Sequence, residues 1–444
     1  SIHHSRQGRL AGVYEALVAH PNATVSSLMK RTRLSRPTIT TLLDSLTELG
    51  LVAPQGAEGN VGRPAETWAP RKDAGVVIGV DLLHRSALLA VARLDGEIID
   101  TDHRSEVSVD SSARFPTLLD LISKHITEGT AGPPLAIVVS TTGTVDLDGR
   151  LMRSDAVPQW EGFALGHELS QRLHLPVRIE NDVNASAFGE FALRCGDGSL
   201  QPTDDLLLIA LSRAIVTGLV MGGELHRGNR HNAGEVGLRI IDESGPASGN
   251  LARAAEGIGI VSAVLDPACI VLSLPNRESP GILAEIIDHL RINRESSAAE
   301  LNLQVSRLGQ GAAIVGALSL ALREARTALF GESTRLIPIP KEIGHITRIT
   351  ARGIHSPMSM AQPAASERAT LRIGVVGVGA RADIAKHFEL PRLNSRITAA
   401  ADPHPNAETR LPQRLGRSDI KLTRNVTELI AEGIDAALVT SPDD

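Results

Sequence analysis

Between Thr32 and Leu51 the sequence TRLSRPTITTLLDSLTELGL gathers hydrogen-bond donors on one side of an expected helix. Ile39, Leu42, Leu43, Leu46 and Leu49 recur at helical spacing, while Arg36, Thr38, Thr40 and Thr41 take the opposite face of the first turns. Lys30 and Arg33 lie just upstream. Guanidinium, ammonium and hydroxyl groups so placed suit phosphate oxygens and base edges when a helix enters the major groove of a duplex. Ser35 stands where an N-cap belongs, Pro37 falls in the first turn where its missing N–H costs nothing, and Gly50 ends the helix. A second chemical signal lies near the other end. Gly377-Val378-Gly379-Ala380-Arg381-Ala382 is a G-x-G-x-x-A run after the apolar stretch LRIGVV, and Asp402 follows 23 positions after Gly379. Such glycines permit a tight turn and the approach of a pyrophosphate to a helix N-terminus, with the acid on the ribose, which is NAD(P)-binding chemistry.

The elements that position the first set read as three helices and a ribbon. Leu10, Val13, Tyr14, Leu17 and Val18 make one amphipathic helix, and Thr24 caps a second with Val25, Leu28 and Met29 inward. A short RTRLS turn leads to the third, as in a helix-turn-helix. LVAPQGAEGNVGRPAETWAP then predicts a two-stranded wing with Arg63 at its tip or base. A basic protein-docking module of three helices is the alternative.

The charge distribution agrees with the duplex reading. Through residue 72 there are nine Lys/Arg against five Asp/Glu, an excess of four; the whole chain carries −6, which leaves −10 for the remainder. A basic head on an acidic body excludes a generic polyanion binder and fits a DNA-binding domain joined to a soluble sensor. At 444 residues, two to three domains are expected. Cys195 and Cys269 are far apart, so neither a disulfide framework nor a cysteine zinc site is expected. The absence of a long apolar run or signal peptide predicts a cytoplasmic protein with no membrane partner. The sequence starts at Ser1 rather than Met, which suggests a trimmed amino terminus.

Beyond residue 72 the pieces VDLLHRSALLAVARLDGEII, STTGTVDLDGRL, IENDVNASAFGE, GELHRG followed by GEVG, and LDPACIVL occur in that order. Over roughly residues 5–330 the chain resembles the ROK family, sugar kinases and sugar-responsive repressors on an actin-like, hexokinase-like fold. The basic head ending in GRPAETW is similar to the repressor branch. The resemblance implies a sugar or sugar-phosphate effector held by Asn181, Asp182 and Glu235, with Asp182 in the place of the kinases' catalytic base. Asn181 and Asp182 are equally suited to cap the helix that follows them.

Several family features are altered. The kinases' DIGGT-like turn reads Asp81-Leu82-Leu83-His84-Arg85, and the second phosphate loop reads Ser212-Arg213-Ala214-Ile215-Val216-Thr217-Gly218. With only Gly218 left between the two loops, the backbone N–H groups lose their close approach to phosphates, so no kinase activity is expected. The zinc-binding histidine position holds Leu238 and no cysteine cluster follows, so no zinc is expected. Ala156 in AVPQW replaces an asparagine that contacts sugar in the family, and the passage from Gly237 to Leu265 is shortened. His84, His226 and His231 show no ligand spacing and read as packing or surface residues.

The carboxy-terminal segment resembles the start of the Gfo/Idh/MocA oxidoreductases, which use NAD(P). It spans about half of a Rossmann domain, so a vestigial cofactor site without dehydrogenase activity is expected, as from a truncated fusion. The expected organisation is therefore an α/β multidomain chain: a winged helix-turn-helix over 1–72, a ROK-type sensor over 73–330, a linker over 331–369, and a partial Rossmann βαβ segment over 370–444. The expected activity is that of a transcriptional regulator, a repressor of carbohydrate genes, acting on a double-stranded operator as a homodimer or homotetramer. The alternatives are a ROK sugar kinase and an NAD(P)-dependent oxidoreductase fusion.

Overall fold

The computed structural model describes residues 6–58, 65–127, 131–154, 157–211, 215–236, 247–273, 280–293, 302–331, 337–344, 346–347, 350, 371–377, 395–415, 419–434 and 436–439. They fall into two units, divided between Met360 and Ala361.

The first unit begins with α1 (Arg6–Ala19), β1 (Ala23–Thr24), α2 (Val25–Thr32), α3 (Arg36–Glu48), β2 (Val52–Glu58) and β3 (Ala65–Pro70). Thr24 caps α2 by accepting the Ser27 N–H, and Ser35 caps α3 by accepting that of Thr38. Each cap satisfies one of the donors that a helix start leaves unpaired. Tyr14, Leu17, Leu28, Ile39, Leu43 and Leu46 are fully buried together, so the three helices share one small core. The three strands form an antiparallel sheet in the order β1-β3-β2. Arg63 lies outside the described residues.

Two five-stranded sheets follow. The first uses β4 (Val76–Leu82), β5 (Ala87–Arg93), β6 (Ile98–Arg104), β7 (Pro134–Thr141) and β10 (Val177–Asn181), in the order β10-β7-β4-β5-β6. The second uses β11 (Leu206–Leu211), β12 (Ile215–Met221), β13 (Glu224–Leu225), β14 (Cys269–Ser273) and β15 (Leu303–Val305), in the order β13-β12-β11-β14-β15. Counted within each sheet, both read 3-2-1-4-5: an antiparallel meander of three strands followed by two parallel ones. That duplication is the actin-like, hexokinase-like layout the sequence implies. The antiparallel ribbon β8 (Thr144–Val145) and β9 (Leu151–Arg153), with α4 (Ser111–Thr127) and α5 (Leu165–Leu173), accompanies the first sheet; α7 (Ala247–Leu265) and α8 (Pro280–Asn293) accompany the second.

Two further helices, α6 (Asp182–Gly196) and α9 (Ala312–Phe330), pack against each other more closely than side chains allow. A Cβ on Gly189 would lie 2.7 Å from the Ala312 carbonyl oxygen, and one on Gly316 would overlap the carbonyl of Ala185. On its other side α9 presses Leu318 onto Gly79 of β4, where a Cβ would meet the Leu318 Cγ at 2.9 Å. Fourteen of the nineteen residues of α9 are buried, so it is a core helix rather than an amphipathic one.

The expectation of a linker over 331–369 fails for its first part. Ile346 is fully buried, Ile337 and Ile343 pack on the main core, and the Lys341 N–H donates to the Gly96 carbonyl at 2.7 Å. Apolar residues recurring among Pro338 and Pro340 tie this stretch to the β5–β6 turn. Composition alone reads as loose chain because the prolines are local and the packing partners are not.

The second unit has four parallel strands, β16 (Leu371–Val376), β17 (Ser395–Ala401), β18 (Lys421–Thr423) and β19 (Ala436–Val439), in the order β18-β17-β16-β19. Helices Ala407–Leu415 and Val426–Ala431 accompany them, and Ile373, Val375, Ile397, Ala400 and Leu411 make its core.

Because Gly316 faces backbone rather than a flexible side chain, Gly316→Ala is expected to destabilise the first unit by roughly 3 kcal/mol or more, since overpacking a fixed contact exceeds the usual ~1–3 kcal/mol. Denaturant unfolding checks it; a loss below about 1 kcal/mol would show that α6 and α9 can separate.

Candidate functional site

The described surface of the head presents four cations on the α2–α3 side, in addition to the exposed Arg6 of α1 and Arg71 and Lys72 after β3. Lys30, Arg31, Arg33 and Arg36 are all exposed. Arg33 closes α2 in the left-handed conformation (φ 59°), and its N–H donates to the Met29 carbonyl at 2.9 Å. That backbone turns the chain sharply into Ser35 and starts α3 at once. Arg36 reaches back across the turn, its Nη2 donating to the Ser26 hydroxyl at 3.2 Å. The hydroxyls expected on the contact face are partly engaged. Thr38 shares a hydrogen bond with Ser35 at 2.8 Å, Thr40 donates to the Arg36 carbonyl at 3.1 Å, and Thr41 donates to that of Pro37 at 3.0 Å. Their oxygens keep lone pairs and can still accept from an exocyclic amino group. Arg31 belongs with this set although its sequence position did not single it out; only the fold shows that it shares an exposed surface with Lys30 and Arg33.

A second cluster sits where β4, β7, β10 and the start of α6 meet. Asp81, at the end of β4, is 2 % exposed and accepts a hydrogen bond from the Ser140 hydroxyl at 2.7 Å. Burial pushes its carboxyl up to about 6, the serine hydrogen bond working against the shift. Asp182, the first residue of α6, is pushed up to about 7, first by burial and then by the charges of Asp81 and, more weakly, Glu235. Asp182 thus stands near both acids. Glu235 itself is exposed, on the loop whose Gly234 carbonyl accepts from the Thr217 N–H at 2.9 Å.

Asn181 stands beside this group with its side chain committed to structure. Its Oδ1 accepts the N–H groups of Val183 (2.9 Å) and Asn184 (3.0 Å), and its Nδ2 donates to the Gly143 carbonyl at 2.8 Å. The carbonyl end of the amide is therefore occupied by capping α6 rather than open to a ligand. Glu180, which the sequence did not flag, is the best-connected acid of the region. It is 2 % exposed and accepts from Arg178 at 2.9 Å, Asn184 at 3.1 Å and Arg227 Nε at 3.1 Å. Burial raises its carboxyl, with Arg178 the leading opposing charge. Arg227 comes from the loop after β13, so this ion pair joins the two sheets next to Asp182. The available signal was weak, because the short strand VRIEN also carries Arg178 and Asn181.

The turn in the place of the first phosphate loop is held from within. The Arg114 side chain, fully buried, donates to the carbonyls of Leu83 (2.6 Å), His84 (2.8 Å) and Ser108 (3.1 Å) and lies 5.4 Å from the Trp160 ring centroid. Burial lowers its pKa to about 10. Residues 212–214 of the second loop, Ala156 and Leu238 lie outside the described residues. Among the described residues no group of three or more His, Cys, Asp or Glu could hold a metal ion, and no helix is long and apolar enough to cross a membrane.

In the second unit Gly377 adopts φ +87° and its N–H donates to the Ala401 carbonyl at 2.8 Å, which brings the end of β16 beside that of β17. Asp402, half-buried, accepts the His404 N–H at 2.8 Å and so also shapes its own turn. Gly379 lies outside the described residues.

Residues 77–250 match the family model described as the ROK family. The chain carries a ROK family domain. It is 26% identical over 221 residues to a xylose repressor of Caldicellulosiruptor bescii, covering 49% of this chain and 54% of that one. It is 27% identical over 172 residues to a glucokinase of Halalkalibacterium halodurans, covering 38% of this chain and 51% of that one. The chain thus spans about half the length of the curated relatives it matches. A solved ROK family transcriptional regulator, a homolog of the E. coli MLC protein, superposes with a TM-score of 0.59 at 18% identity, covering 74% of this chain and 99% of that one. This likeness extends the ROK fold beyond the residues matched by the family model.

The raised carboxyls set a pH dependence of stability. A buried acid whose folded pKa lies above its unfolded value binds more protons folded than unfolded between the two, so stability falls as pH rises through that window. For Asp81 and Asp182 it runs from about 4 to about 7. Asp182→Asn is expected to flatten this decline and to stabilise the first unit at pH 8 by at least about 1 kcal/mol, because each tenfold change in proton affinity is worth ~1.4 kcal/mol. Urea titrations at several pH values read it; an unchanged slope would place Asp182 in contact with water.

Proposed function

We propose that the chain is a DNA-binding transcriptional repressor: a winged helix-turn-helix head reads an operator, and the ROK body senses a sugar or sugar phosphate. The observation that carries this reading is the capped helix α3, set after the sharp Arg33 turn, with Arg36, Thr40 and Thr41 exposed and Lys30, Arg31 and Arg33 beside its N-terminal end. In this reading Arg36, Thr38 and Thr41 face bases, while Ser35, Thr40, Lys30, Arg33 and Arg63 meet phosphates or the flanking groove. One head covers one half-site, so we propose a homodimer or a dimer of dimers acting in the cytoplasm on a two-fold operator. The xylose repressor relative supports the regulatory assignment and makes D-xylose the first effector to try.

The glucokinase relative keeps kinase chemistry as the competing reading. Against it stand the residues at the first phosphate loop, where Leu83 and His84 replace glycines and Arg114 holds the turn by its carbonyls. We therefore assign no phosphoryl transfer. In the body Asp182 and Glu235 are the proposed effector contacts; Asn181 serves them by fixing the start of α6. For the second unit we propose a dinucleotide-type βαβ segment with Gly377, Gly379 and Asp402 at its turn, and assign it no enzymatic step.

Selection of duplexes from a random pool by the purified protein tests the reading, followed by titration of the selected duplex. Arg36→Ala is expected to weaken binding about 10- to 100-fold and to relax preference at one base pair, as loss of a bidentate guanine contact costs ~1–3 kcal/mol. Failure to enrich any duplex at low ionic strength, together with ATP consumption on a hexose, would reverse the assignment.

A further inference from the structure

The head is tied to the body by a buried side chain of α9, the helix that packs against both β4, which carries Asp81, and α6, which begins with Asp182. Arg326, near the end of α9, is 2 % exposed and carries two tasks at once. Its Nη1 donates to both carboxylate oxygens of Glu15 in α1, at 2.8 and 2.9 Å, while its Nε and Nη2 donate to the Leu94 carbonyl at 3.2 and 2.8 Å. The planar fork of a guanidinium holds two acceptors in fixed relative positions, which a lysine cannot do. Around it the Arg326 guanidinium lies 5.7 Å from the Tyr14 ring centroid, and the Tyr14 and Phe330 rings are 5.3 Å apart. Lys341 adds a second tie, its Nζ donating to the Val18 carbonyl at the end of α1 at 3.1 Å.

This seam is not a fully satisfied core. The Tyr14 hydroxyl is buried there with no hydrogen-bond partner among the described residues. Buried orphans lower the cost of leaving an arrangement, because each regains water or another partner on opening. The other end of α9 is the opposite case. Gly316 abuts the Ala185 carbonyl of α6, and Leu318 abuts Gly79 of β4. Asp182 begins α6 and Asp81 lies two residues beyond Gly79. Neither element can shift without moving α9, and Arg326 is ten residues further along it, about 15 Å at the rise of a helix.

We propose that the Glu15–Arg326–Leu94 clasp fixes the orientation of the head, and that α9 transmits changes at the Asp81/Asp182 site to it as a rigid lever. The inference rests on reading the head as the DNA-contacting part. A clasped head is preorganised for a two-fold operator, so loosening the clasp weakens binding by adding an ordering cost.

The test uses the full chain and the duplex that the unaltered protein selects. In Glu15→Gln, and independently in Arg326→Lys, amide hydrogen exchange over residues 13–19 is expected to quicken at least tenfold, with the midpoint of thermal unfolding of the body within about two degrees of the parent. Affinity for the selected duplex falls at least fivefold while its salt dependence stays the same, because the phosphate contacts are untouched. Asp182→Asn in the parent background changes affinity at least threefold; in the Glu15→Gln background that change disappears. Unaltered exchange in both variants overturns the clasp, and an Asp182→Asn effect that persists in full without Glu15, or is absent from the parent, overturns the lever. If the parent selects no duplex, the reading of the head fails, while the exchange experiment still decides the clasp.

Discussion

The first unit depends on a backbone contact between α6 and α9 that only glycine permits. Gly189 and Gly316 remove the side chains that would otherwise separate the helices by several ångströms, and Gly79 does the same where Leu318 meets β4. Close packing turns these contacts into constraints: a dense interior has no room for independent movement of one helix. Much else follows from that closeness. The start of α6 is held beside the ends of β4 and β10, which gathers the buried Asp81 and Glu180 and the half-buried Asp182 into one region. Like charges crowded in that way raise each other's proton affinity, and Glu180 remains paired because Arg178 and Arg227 reach it from two sides.

What the sequence made legible was local. Ser35, Pro37 and the leucine stripe identify α3 because caps and periodicity act within a few residues of each other. Asn181 at the head of α6 is readable for the same reason. The order of motifs also announced the duplicated sheets, although no single stretch contains the pairing that makes them.

What stayed hidden depends on partners far apart along the chain. Glu15 and Arg326 are separated by 311 positions, and nothing around either residue marks it as half of an ion pair. Glu180 looks like one more acid beside the more recognisable Asn181 and Asp182, until β10 buries it and the loop after β13 brings Arg227 to it. The misread stretch after Phe330 fails the same way, its prolines visible and its contact with Gly96 not. Asn181 gives the converse lesson. A residue matching a ligand-contact motif is occupied by the backbone, so motif position and chemical availability are separate questions.

The left-handed backbone of Arg33 has a consequence of its own. Side chains with a Cβ resist that conformation at a cost of roughly 1–2 kcal/mol, and glycine does not. Glycine at position 33 would relax the bend between α2 and α3 and strip a positive charge from the rim of the head. Thermal robustness and electrostatic grip therefore compete at a single site. A laboratory search for sturdier variants would drift toward glycine there, whereas a search for tighter ones would hold on to arginine.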